Sequence, residues 1–63
     1  LLELDITLTR FLDTGFDRLS EEEKQVFVEL ANMEDHELWY WLSGQTECND
    51  PRFAPIVAAI RKS

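Results

Sequence analysis

Apolar positions recur along this chain at helical spacing, and residues suited to ending helices stand between the repeats. Leu4, Leu8, Phe11 and Leu12 follow the i, i+4, i+7, i+8 pattern within residues 2–14 and predict a first helix with one buried stripe. Gly15 comes next, where a left-handed residue would close that helix. Ser20-Glu21-Glu22-Glu23 reads as a capping box, with three acids facing the positive end of a second helix over residues 21–33. Its expected buried stripe is Val26, Phe27, Leu30, Ala31 and Met33, with Val28 on the opposite side. Asp35 is the expected N-cap of a short third helix over 36–43 that Gly44 terminates. Asp50-Pro51 repeats a cap-and-proline start for a fourth helix, buried through Phe53, Ile56, Val57 and Ile60, with Pro55 placed to delay or bend it. No stretch alternates with a period of two. The expected fold is all-α, a small single-domain bundle of four or five short helices over 1–63, with loops near 15–19 and 44–49.

Two stretches carry more apolar surface than one core face accepts. Leu38-Trp39-Tyr40-Trp41-Leu42 is an unbroken apolar and aromatic run, and at about 100° per residue five successive side chains point around the whole helix. Leu38, Trp41 and Leu42 form a coherent inner face. Trp39 and Tyr40 fall on the rim or the far side and are candidates for an interface. On the first helix, Leu2 and Ile6 point away from the Leu4–Leu12 stripe and are flanked by Arg10 and Glu3. An apolar centre with charged edges is the anatomy of a contact patch.

Charge narrows the choice of partner. The 63 residues carry a formal net charge of −7, with all 13 acids in residues 1–50 beside only Arg10, Arg18 and Lys24, while Arg52, Arg61 and Lys62 lie in the last 13 residues. Phosphates and anionic lipid would be repelled by the acidic part and a basic protein surface attracted, so nucleic acid is excluded as a partner. No apolar run approaches the roughly 18 residues that span a bilayer, so no membrane insertion is expected. Cys48, the only cysteine, allows no intrachain disulfide and fits a reducing compartment. The chain starts at Leu1 without a methionine, which points to a natural N-terminus further upstream.

Reactive chemistry is not encoded in any recognisable pattern. His36, the only histidine, lies among acids at a helix start with no nucleophile in sequence range, and no catalytic residue is assigned. The acids lack calcium-loop spacing, no zinc ligand set exists, and the two glycines, Gly15 and Gly44, form no phosphate-cradling loop. Neither a metal nor a tightly bound cofactor is expected. Recognition of another macromolecule is what remains, and a general acidic adaptor or an antitoxin-like inhibitor would satisfy composition alone.

The order and spacing of three motifs narrow this further. Glu3-Leu4-Asp5-Ile6, then Phe16-Asp17-x-Leu19-Ser20-x-x-Glu23-Lys24, then Asp35-x-x-Leu38-x-x-Trp41-Leu42 resembles the succinate dehydrogenase flavinylation factors, the bacterial SdhE family and its mitochondrial assembly-factor relatives. The resemblance runs almost continuously to Gly44 and weakens beyond it. It implies a small helical, monomeric, non-enzymatic factor that binds the flavoprotein subunit of succinate dehydrogenase, or of fumarate reductase, and promotes covalent FAD attachment there. The setting implied is the bacterial cytoplasm, or the mitochondrial matrix in a eukaryote. In the family's Arg-Gly-x-x-Glu signature, Leu1 and Leu2 fill the variable positions and Glu3 is the acid, so the Arg and Gly would lie just before Leu1. The partner-binding residues expected are Glu3, Leu2, Ile6, Asp5 and Arg10 on the first helix, with Trp39 and Tyr40 on the third.

Overall fold

In the computed structural model, which describes residues 1–62, four α-helices and one 3-10 turn follow one another: α1 (Leu2–Thr14), the turn Phe16–Arg18, α2 (Glu21–Ala31), α3 (Asp35–Leu42) and α4 (Ala54–Lys62). No strand occurs among the described residues. The helix α4 packs against α1, α2 and α3. Its inner face, Ile56, Val57 and Ile60, joins Leu4, Phe11, Phe27, Leu30, Leu38 and Leu42 in a single core. Aromatic rings tie the elements at one end. Phe27 lies 5.4 Å from Phe11 and 5.4 Å from Phe16 by ring centroids, which are good distances for tilted and edge-on pairs.

Local chemistry explains where each helix starts and stops. At α2 both halves of the capping box form: the Glu23 amide donates to Ser20 Oγ at 3.1 Å, and the Ser20 amide donates to Glu23 Oε1 at 2.9 Å. The helix stops at Ala31, short of the expected Met33, because Asn32 and Met33 donate back three residues to Glu29 and Leu30 and tighten the last turn. Ala31 is exposed, while Val26 and Met33 pack on the core from partly buried positions. Glu34, not Asp35, is the N-cap of α3. Its carbonyl accepts from Leu38, and Asp35 is already the first helical residue, so its carboxylate joins Glu37 in the first turn instead of capping it.

The two glycines serve different purposes. Gly44 has a φ of +84° and ends α3 in the left-handed region, with its amide donating to Trp41 at 3.3 Å. Gly15 has a φ of −129°, so the expected left-handed cap is absent and the chain passes straight into the 3-10 turn. Space is its requirement instead: a Cβ there would lie 2.6 Å from Phe11 Cε1. At α4, Asp50 and Pro51 open a turn rather than the helix itself. Asp50 Oδ1 accepts from the Arg52 amide and its carbonyl from Phe53 and Ala54, so α4 begins at Ala54 with Pro55 in its first turn, where no amide hydrogen is needed.

The aromatic run divides differently from its helical wheel. Leu38 and Leu42 are buried, whereas Trp41 is only partly buried, packing against the core and 6.0 Å from the Phe53 ring. Trp39 also rests partly buried on the core, and Tyr40 is 50% exposed. A denaturant melt of Trp41→Ala should show about half of the ~3–5 kcal/mol that a fully buried Trp carries, and Tyr40→Ala about 0.5 kcal/mol. Equal losses would contradict this division of the run.

Candidate functional site

The outer face of α1 exposes large apolar side chains on regular structure. Leu4 and Phe11 hold the helix to the core, so residues half a turn away must face outward. Leu2 is 71% exposed and Ile6 54% exposed. Around them Glu3, Asp5, Thr9 and Arg10 are all exposed, and Asp5, Ile6, Thr9, Arg10, Asp13 and Thr14 line a shallow groove along the helix. Along this helix the Thr7 and Thr14 hydroxyls donate to the carbonyls of Glu3 and Arg10, one turn back, at 2.8 and 2.9 Å.

Electrostatically the face is open. Among the described residues no ion pair engages Glu3, Asp5 or Arg10, while Lys24 pairs with Glu21, and Arg52 with Glu29. Two acids lie in the first turn of α1, where they favour the positive helix end. An apolar centre with an acidic start and a basic residue further along can orient a complementary protein surface. No group of three or more potential metal ligands occurs among the described residues.

The sequence-derived candidates fall into two separate places. Leu2, Glu3, Asp5, Ile6 and Arg10 share α1. Tyr40 instead lines a depression on α3 with Met33, Glu37, Trp41 and Thr46, and Trp39 is partly covered by its own core contact. Thr9, Asp13 and Thr14 extend the α1 groove and were not legible as candidates, since their polarity reads simply as a solvated helix face. Leu12, counted with the buried stripe in sequence, is 47% exposed. It sits one residue past Phe11, which is the side chain that the Phe16–Arg18 turn and Phe27 enclose.

Residues 1–63 match the family model described as the flavinator of succinate dehydrogenase. The FAD assembly factor SdhE of Shewanella oneidensis is 39% identical over 61 residues, covering 97% of this chain and 74% of that protein. The FAD assembly factors SdhE of Idiomarina loihiensis and Xylella fastidiosa are each 39% identical, over 57 and 59 residues, covering 90% and 94% of this chain but 63% and 61% of those proteins. The chain thus spans about three-fifths to three-quarters of the length of these relatives. No solved structure matches it. A family match over the whole chain, with relatives of this similarity on an all-α scaffold, has one consequence: the chain belongs to the family of succinate dehydrogenase flavinators.

Proposed function

We propose that this protein is an assembly factor that promotes covalent attachment of FAD to the flavoprotein subunit of succinate dehydrogenase, or of fumarate reductase, by binding that subunit through the outer face of α1. The observation that carries the reading is the family match over residues 1–63 together with an unpaired, apolar-centred α1 face that begins at Glu3. The protein acts as a monomer and is not an enzyme: it holds the client in a competent conformation, while client and flavin supply the reacting atoms. In a bacterium the work is done in the cytoplasm, and in a eukaryote in the mitochondrial matrix. Leu2 and Ile6 supply the apolar anchor, Glu3, Asp5 and Arg10 its charged surround, and Tyr40 with Trp39 a secondary contact.

Covalent flavin fluorescence on the denatured client subunit, compared between cells with and without this protein, tests the proposal. Flavinylation should fall severalfold in its absence. Undiminished flavinylation would sink the reading. The isolated protein should also carry no stoichiometric flavin, so native purification followed by absorbance at the flavin bands should give a colourless sample.

A further inference from the structure

A second surface combines apolar floor and positive rim. Between the C-terminal ends of α1 and α4, Leu19 and Ala59 floor a groove with Phe11 beneath, and Arg18 and Lys62 stand at its edge. Both cations are exposed. In a chain with 13 acids, neither Arg18 nor Lys62 forms an ion pair among the described residues. Helix-end compensation accounts for a basic residue in the last turn of α4, but Arg18 belongs to the 3-10 turn and reaches the same groove from another element. Two unpaired cations converging on apolar floor complement a ligand that is both acidic and apolar.

From this geometry we infer that the groove docks an acidic segment of the flavoprotein client, one carrying an apolar side chain between its carboxylates. The inference rests on the assembly-factor reading and adds a second contact, on a different surface from the α1 face. Charge complementarity selects the occupant: the acidic surface elsewhere on the chain repels an extended polyanion, whereas a short acidic peptide segment meets only the two cations. The apolar floor then takes the side chain between the charges. The segment would bridge the ends of α1 and α4 and steer the approach of the client.

The test is a titration of the purified client subunit against the protein, with wild type compared with Arg18→Gln/Lys62→Gln. Gln25→Glu/Asn49→Asp serves as a control that changes net charge equally at exposed positions elsewhere. The groove variant should bind about tenfold more weakly at low salt and lose much of its salt dependence, with the control within about twofold of wild type. Matching helical circular dichroism establishes that each variant is folded, and Lys62→Gln alone, at an exposed helix end, provides a milder second variant with a smaller loss in the same direction. Wild-type binding left unchanged in the groove variants, or weakened equally by the control, overturns the groove while leaving the assembly-factor reading intact. No wild-type binding at all overturns both. Self-association of wild type that the groove variant abolishes would assign the groove to a second copy and overturn the client segment.

Discussion

Replacing Phe11 with alanine should leave the protein largely unfolded. Phe11 is 2% exposed, its ring packs against Phe27, and the absence of a Cβ at Gly15 is what gives that ring its space. Truncating a buried Phe typically costs ~3–5 kcal/mol, the lost transfer energy plus the cavity it leaves. At the usual ~0.05–0.15 kcal/mol per residue, a domain this small has a total stability of only a few kcal/mol, so one such loss removes most of it. The neighbours cannot collapse easily into the space, because Phe27 is already held between Phe11 and Phe16. Far-ultraviolet circular dichroism in a urea series should show a midpoint near zero denaturant for Phe11→Ala. Phe11→Leu, which keeps most of the volume, should retain a cooperative transition. A Phe11→Ala melt close to wild type would mean that the aromatic cluster is not the keystone of the α1–α2 packing.

That cluster also shows which parts of the structure can be read along the chain. Signals that act within four residues survive intact: the Ser20–Glu23 box forms as written, Gly44 adopts its positive φ, and the spacing of Leu4 and Phe11 finds the inner face of α1. What fails is what depends on a distant neighbour. Gly15 looks like a left-handed cap, yet it is the Phe11 ring that needs the space a Cβ would fill, and that ring is placed by packing against Phe27 of α2. Leu12 and Ala31 satisfy helical periodicity and still lie outside, since a wheel records direction but not whether another element arrives to cover it. The same limit governs the candidate site. The outward direction of Leu2 and Ile6 was legible because it follows from the core stripe beside them, and the groove between the ends of α1 and α4 was not, because its walls meet only in three dimensions.

Glu3→Ala should separate folding from function. The residue is exposed in the first turn of α1, outside the core and without an ion pair among the described residues. Its contribution to stability is therefore limited to the favourable placement of a carboxylate near the positive helix end, about 0.3–1 kcal/mol, and thermal melts of variant and wild type should differ by only a few degrees. Its backbone carbonyl, which accepts from the Thr7 hydroxyl, is untouched by the substitution. On the proposed client interface the balance reverses. An acid desolvated against a basic partner group leaves that group unpaired when truncated, at a cost of about 2–5 kcal/mol, equivalent to a loss of binding of at least an order of magnitude. Glu3→Gln keeps the shape and part of the hydrogen bonding while removing the charge, and should fall between the two. The measurement is covalent flavin on the client subunit, scored beside thermal stability. Severely reduced flavinylation by a well-folded Glu3→Ala protein is the expected result, because the α1 face then loses its charge without losing its scaffold. Normal flavinylation by that variant would remove Glu3 from the interface and shift the burden of recognition to Leu2 and Ile6.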